Sequence, residues 1–173
     1  MQNRGITLAV AAALITAVAC AADEPAPLTT VPNTNIVTFK ATMNGANEVP
    51  AITTPGTGTF TATLDTVTNI LTYDLTFTGL TAGVNNGHIH GPATTLVASG
   101  TTVNFNTLAG ATYGFGLTAG AGHGIVALTA TNAITATMSG DSLKKLLFLG
   151  LTYVNIHTTL NPGGEIRGQL TKQ

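Results

Sequence analysis

The stretch Thr57–Thr78, TGTFTATLDTVTNILTYDLTFT, sets the fold class because apolar and polar residues alternate along most of its length. In each arm one side carries the larger apolar side chains, and the other side is mostly threonine. A period of two is typical of a half-buried β-strand, and β-branched threonine favours extended backbone. The polar segment 65–69 between the two arms predicts a short hairpin loop.

Short segments of the same kind recur along the chain. Further strands are predicted at residues 36–43, 87–90, 101–106, 124–128, 133–138, 152–158 and 165–171. Leucines at helical spacing from Leu143 to Leu151 predict one helix of about two turns, with Ser139 or Asp141 as N-cap and Gly150 at its end. The sequence therefore predicts an all-β, antiparallel β-sandwich or a flattened, Greek-key-like barrel, with one short helix before the last two strands.

The first 20 residues have the character of an export signal. Arg4 precedes the uncharged, mostly apolar run Ile6–Ala19, which is shorter than the about 20 residues that a membrane-spanning helix needs. Cleavage after a small residue such as Ala19 or Ala22 would release a soluble, secreted protein. Alternatively, the segment resembles a bacterial lipobox, in which Cys20 becomes the lipidated first residue.

Cys20 is the single cysteine of the chain, and its position favours lipid anchoring. Without a second cysteine the chain cannot form an internal disulfide, so burial and strand pairing must hold the fold. We expect a signal peptide at residues 1–20, a proline-rich tether at 21–34 and a β domain at 35–173. The expected location is the bacterial cell envelope, or outside the cell if Cys20 is not lipidated.

Charged residues are scarce, at 8% of the chain, and solubility must come largely from its 34 threonines. No basic stripe follows the sequence, which argues against binding of nucleic acid. No cationic amphipathic segment is present either, so contact with a membrane is expected through the lipid anchor alone. A protein partner in the envelope and the oligomeric state are left open.

Three of the four histidines lie in the two motifs GHIHG (87–91) and YVNIHT (153–158). Residues two apart on a strand project to the same side, so His88 and His90 share one face. His157 would join them if its strand lies alongside, with Tyr153 and Asn155 on the same face near solvent. Three neutral imidazoles suit copper(II) or zinc(II) and leave a coordination position open. In the alternative, structural interpretation the imidazoles tie loops to backbone carbonyls.

Other polar residues could support such a site. His123 is expected in the glycine-rich loop 108–122 and its border, from which it could supply a fourth ligand. Glu165 and Asn155 are candidates for orienting an imidazole, and Arg167 for attracting a small anion. The alternative for Glu165 and Arg167 is a structural contact that fixes the closing hairpin. Glu48 is expected to pin the first loop, with a role at the site as the weaker alternative.

The order of several motifs resembles the CHRD domain family, named for chordin and also found as single domains in exported bacterial proteins. The motifs are NEVP (47–50), Gly79-Leu80, HIH (88–90), YVNIHT (153–158) and NPGGEIRGQL (161–170). The resemblance covers about Val37 to Leu170. In chordin these domains belong to an extracellular antagonist that captures growth factors, so the resemblance implies an extracytoplasmic β domain and no particular activity.

Three functions are consistent with these features. The first is a lipid-anchored binding module with a copper or zinc site at His88, His90 and His157. The second is a mononuclear copper redox enzyme, since copper–zinc superoxide dismutases also carry a His-x-His pair on a β-sandwich strand. The third is a metal-free module for adhesion or protein interaction. Whether the protein is an enzyme stays open; neither a Gly-x-Ser-x-Gly motif nor a phosphate-binding glycine loop is present.

Overall fold

The computed structural model of the protein describes residues 34–128 and 138–173. Within these ranges nine strands follow one another: β1 (Ile36–Asn44), β2 (Thr57–Asp65), β3 (Ile70–Thr78), β4 (Val84–His90), β5 (Thr101–Asn104), β6 (Gly120–Ala127), β7 (Tyr153–Thr158), β8 (Ile166–Gln169) and β9 (Thr171–Lys172). The helix α1 (Gly140–Phe148) lies between β6 and β7, and short 3-10 turns occupy Gly45–Asn47 and Phe105–Thr107.

The strands form one antiparallel sheet in the order β5-β4-β7-β8-β1-β2-β3-β6, with β9 also paired to β1. The sheet curls into a half-barrel around the hydrophobic core. The prediction of an antiparallel all-β fold is therefore confirmed. This shape has features of both the predicted β-sandwich and the predicted flattened barrel, because a single sheet curls over its own inner face.

The hairpin predicted from residues 57–78 is confirmed as β2 and β3. Its register runs from Thr57 opposite Thr78 to Asp65 opposite Ile70. The Asp65 carboxylate closes the turn by accepting hydrogen bonds from two backbone N–H groups. The inner face of the hairpin contributes buried side chains to the core: Phe60, Ala62, Leu64, Leu71, Tyr73, Leu75 and Phe77.

The predicted helix is also confirmed. Ser139 is its N-cap and accepts a hydrogen bond from the backbone N–H of Ser142, which satisfies one of the free donors of the first turn. Leu143 and Leu147 are fully buried against the sheet. Gly150 has a positive φ of 67°, which suits the end of a helix.

The segment near His123 differs from the prediction of a glycine-rich loop. Strand β6 already begins at Gly120, so His123 lies on a strand. Gly122 and Gly124 face the core side, where a Cβ on Gly124 would overlap the Tyr73 ring. Glycine therefore makes room here for packed side chains on a strand. The high glycine content predicted a loop because glycine is also common in turns.

Some predictions fall outside the described residues. The export signal, Cys20 and nearly all of the tether lie in residues 1–33, and most of the strand expected at 133–138 lies in 129–137. Among the residues that the structure describes, no helix has the length and apolar character needed to span a membrane.

Candidate metal centre

Strands β4 and β7 lie side by side, which brings the two histidine motifs together. Their register places His88 opposite Asn155, His90 opposite Tyr153 and Asn86 opposite His157. The alternate residues, including Ile89 and Val154, point into the core and are fully buried. The polar residues therefore share the outer face of the sheet, as the period of two predicted.

His88, His90 and His157 form one cluster. Each offers a ring nitrogen, and these three nitrogens lie within 4.8 Å of one another. The Nδ1 atom of His88 is 2.8 Å from the Nε2 atom of His157, and the centroids of the His88 and His90 rings are 5.1 Å apart. Three imidazoles at this separation are a donor set for one transition-metal ion.

Backbone carbonyls fix two of the imidazoles. His90 Nδ1 lies 2.9 Å from the carbonyl oxygen of Ser99, and His157 Nδ1 lies 2.9 Å from that of Pro162. A carbonyl can only accept, so both Nδ1 atoms carry the proton and donate. The Nε2 atoms of His90 and His157 then hold lone pairs, which is the arrangement that carbonyl–histidine–metal sites use.

Burial keeps the cluster uncharged. It lowers the pKa of His88 to about 3, and the neighbouring His157 and His90 add to this effect. The pKa values of His90 and His157 are also below the ordinary value of 6.5, mainly because of burial. Neutral imidazoles are the form that binds metal ions, so no proton has to be removed from a charged ring at neutral pH.

The cluster is more enclosed than the sequence suggested. Tyr153, Asn155 and His157 were expected near solvent, but they are 3%, 2% and 8% exposed. The segments 91–100 and 159–164 cover this face, and both supply the carbonyls that hold the imidazoles. That expectation is wrong because two loops cover the polar face of the sheet and separate it from solvent.

Asn155 contacts the cluster directly. Its Oδ1 atom lies 2.9 Å from His90 Nε2. Asn155 also forms a side-chain hydrogen bond with Glu48, which is one of the effects acting on that carboxyl group. Glu48 is therefore linked to the imidazoles through the Asn155 side chain.

Glu48 is 8% exposed. Burial raises its pKa to about 7, against the opposing effects of Arg167 and Asn155. The residue also lines a surface cavity of about 360 Å³ together with Arg167 and Gln169. Burial thus favours the protonated form of this carboxyl group in the first loop.

Glu165 does not orient an imidazole in the described structure, which corrects the first of its two predicted roles. Its carboxylate accepts hydrogen bonds from the hydroxyls of Thr54, Thr81 and Thr158 and from the backbone N–H of Thr81, at 2.6–2.9 Å. Burial would raise the pKa of Glu165, but these bonds hold it below its ordinary value. The structural alternative, a contact that fixes the closing hairpin, describes it better.

Arg167 supports the loop above the cluster. Its Nη2 group donates to the carbonyl oxygens of Thr94 and Val97 at 2.8 and 2.9 Å. Its guanidinium carbon lies 3.5 Å from the centroid of the Tyr153 ring, and that ring stacks on His90. Its Nη1 group is buried without a hydrogen-bond partner among the described residues, and Arg167 lines the cavity beside Glu48 and Gln169. The predicted attraction of a small anion stays a prediction.

His123 lies apart from the cluster. It faces Asp74 across β3 and β6, with 2.8 Å between His123 Nδ1 and the Asp74 carboxylate. Both side chains are well exposed to solvent. The idea of a fourth ligand from His123 is therefore wrong.

Two parts of the site could not be found from residue types. The carbonyls of Ser99 and Pro162 are backbone groups, which any residue would supply. The Tyr153 hydroxyl contacts Ser99 as donor to its carbonyl at 3.3 Å, in addition to the ring stacking. The NPGG turn (161–164) was visible in the sequence, but its role in holding His157 depends on a contact between neighbouring strands.

A model of the CHRD domain family matches residues 39–170, and the chain belongs to that family. Comparisons with curated proteins and with solved structures gave no match. The family assignment agrees with the order of motifs in the sequence.

Proposed function

We propose that this protein is an exported CHRD-domain binding module that holds one copper or zinc ion at His88, His90 and His157. The observation that carries the proposal is the convergence of three uncharged imidazole nitrogens within 4.8 Å on one enclosed sheet face. Backbone carbonyls hold two of the rings so that their Nε2 lone pairs are available. Imidazole donors without thiolates suit copper(II) and zinc(II).

The hydrogen bond between His88 and His157 supports this proposal. Since His157 Nδ1 donates to Pro162, its Nε2 accepts, and the bridging proton belongs to His88 Nδ1. A metal ion can replace this proton, because His88 can carry its hydrogen on Nε2 instead. Binding at His88 Nδ1 would then release no proton, because the hydrogen stays on the ring at Nε2.

Metal titration of the mature protein, purified without an affinity tag, tests the proposal. We expect one copper(II) or zinc(II) ion per chain by calorimetry with a competing chelator. His88→Ala and His157→Ala should each weaken binding by about 100-fold or more, since each removes one of three donors. His123→Ala is the matched control and should bind like the wild type. Binding without defined stoichiometry, unchanged in both site variants, would leave a metal-free interaction module.

Export and lipid anchoring are part of the same proposal. They rest on Arg4, the apolar run Ile6–Ala19 and the lone Cys20 at its end. Metabolic labelling with a fatty acid should mark the wild-type chain and leave a Cys20→Ala variant unlabelled. Labelling of neither chain, with the protein recovered in the medium, would favour secretion after ordinary cleavage.

A further inference from the structure

Two polar atoms in the wall of the surface cavity beside Glu48 have no hydrogen-bond partner among the described residues. They are Nη1 of Arg167, which is a donor, and Oε1 of Gln169, which is an acceptor. Both atoms are closed off from bulk water, and Arg167 as a whole is 1% exposed. Because a buried polar atom without a partner costs free energy, a group inside the cavity is expected to pair with them.

Rotation of the side chains does not supply the missing partners. The amide nitrogen of Gln169 donates to the carbonyl oxygens of Ala93 and Gly150 at 2.8 and 2.7 Å. Carbonyl oxygens only accept, so the amide cannot turn round to bring its oxygen into their place. In the same way, Nη2 of Arg167 is committed to two carbonyl oxygens of the segment 91–100. The two atoms stay available to a ligand.

Glu48 adds a second acceptor to the same cavity. The charge of Arg167 acts on its carboxyl group, but the two side chains form no ion pair within 4.0 Å in the described part of the chain. A carboxylate has about four lone-pair sites, so it can accept further hydrogen bonds besides that from Asn155. The cavity thus presents one donor group with two hydrogens and two acceptors on different side chains.

We propose that this cavity binds a carbohydrate through two neighbouring hydroxyl groups. Each hydroxyl accepts one hydrogen from Arg167 Nη1 and donates its own hydrogen, one to Gln169 Oε1 and the other to the Glu48 carboxylate. An anion only accepts, so it would satisfy Arg167 and leave both acceptors facing negative charge. The site is separate from the histidine cluster, and the proposal does not depend on a metal ion.

The size and the apolar part of the cavity also suit a sugar. Its volume of about 360 Å³ lies within the range of about 300–1,000 Å³ that small-molecule sites span. Val49, Pro50 and Leu96 line it as well, and Leu96 is 82% exposed. A pyranose ring carries hydroxyls at its edge and C–H groups on its faces. It can therefore bond to the polar side chains while one face covers the apolar ones.

NMR titration of the metal-free mature protein with three sugars tests the proposal. The methyl α-pyranosides of D-mannose, D-glucose and D-galactose together present neighbouring hydroxyls in cis and trans arrangements. At pH 8, above the pKa of about 7 of Glu48, we expect at least one to bind with a Kd of about 1 mM. Binding should shift the side-chain signals of Gln169 and Arg167. Sodium phosphate at matched ionic strength should not displace the sugar.

A variant that fills the cavity tests the location of the sugar without touching the core. Ala46 and Ala51 are exposed and line the cavity, so the double variant Ala46→Leu and Ala51→Leu should weaken sugar binding by about tenfold or more. Ala121→Leu is the control, because Ala121 is exposed on β6 and does not line the cavity. It should bind the sugar like the wild type.

Glu48→Gln separates a sugar from an anion. The variant loses a charged acceptor, so the sugar should bind about threefold to tenfold more weakly, whereas an anion would bind more tightly. The inference is overturned if none of the three pyranosides binds, or if the cavity-filling variant binds the sugar like the wild type. Phosphate that displaces the sugar, or that binds alone and more tightly to Glu48→Gln, would also overturn it and assign the cavity to an anion.

Discussion

The guanidinium carbon of Arg167 lies 3.5 Å from the centroid of the Tyr153 ring. The same ring also stacks on His90, with centroids 4.7 Å apart and planes only 4° from parallel. The charge of Arg167 thus holds an aromatic ring, and the ring fixes the plane of an imidazole in the histidine cluster. Because Arg167 also binds two carbonyls of the segment 91–100, one side chain connects the sheet, the covering loop and the site.

Replacing Arg167 with methionine should therefore destabilise the protein strongly. The change removes the ring contact and leaves the carbonyls of Thr94 and Val97 without their donor, at a cost of about 2–4 kcal/mol. Urea denaturation of the metal-free protein measures it. Lys172→Met is the control, since the ammonium of Lys172 lies over Phe148 at 5.2 Å on an exposed strand. Equal, small losses for both variants would contradict the role assigned to Arg167.

Gly164→Ala should disturb the site while Gly163→Ala should not. Gly164 has a φ of 128°, and a Cβ there would overlap Glu48 Oε1 and Asn155 Nδ2. We expect a loss of more than about 2 kcal/mol in unfolding free energy, together with weaker metal binding. A Cβ on Gly163 meets no atom within 4 Å, so that variant should be nearly neutral. The idea fails if the two variants behave alike.

Glu165→Gln should cost about 1–3 kcal/mol at neutral pH, because one amide oxygen cannot accept the four hydrogen bonds of the carboxylate. The pKa of Glu165 is lower in the folded protein than in the unfolded chain. Its contribution is thus present above the unfolded value near 4.5 and is lost as the pH falls below it. Denaturation curves at pH 7 and pH 4 should show a smaller difference between variant and wild type at pH 4. The exposed Asp141→Asn serves as control.

Acid should weaken the metal-free protein through its histidines. The folded-state pKa values of His88, His90 and His157 lie below the unfolded value of 6.5, so the unfolded chain binds more protons between the two. Stability from these groups is complete above pH 6.5 and decreases as the pH falls, with about 1 kcal/mol per pH unit from His88 between pH 6 and pH 4. Urea denaturation from pH 4 to 8 measures this slope. A flat profile would contradict the burial of the cluster.

Glu48 should change the stability of the protein with pH in the opposite direction to the histidines. Its folded-state pKa of about 7 lies above the ordinary 4.5, so its contribution is present below pH 4.5 and is lost as the pH rises through 7. The uncharged side chain of Glu48→Gln should not lose this contribution. Relative to the wild type, the unfolding free energy of the variant should rise by about 3 kcal/mol between pH 4.5 and pH 8. The same series of denaturation curves gives the difference. A gap that does not change with pH would show that Glu48 is not protonated in the fold.

The alternating patterns carried much of the structure. Threonine alternation predicted β2 and β3, and the spacing of His88, His90 and His157 predicted a shared face. The unpredicted parts depend on contacts between distant residues. The Glu165 carboxylate accepts hydrogen bonds from Thr54 and Thr81, which lie 111 and 84 residues away along the chain. The enclosure of the cluster likewise depends on where loops settle, which local sequence patterns do not specify.

The pairing of β4 with β7 determines when the site residues come together during folding. His88 and His90 are separated from Asn155 and His157 by 65 to 69 residues. Until the two strands meet, the polypeptide offers an ion just a local pair of imidazoles and a distant third. If the cluster binds a metal ion as proposed, all three imidazoles can bind it together only after β4 and β7 have paired, so a bound ion would report that this part of the sheet has formed.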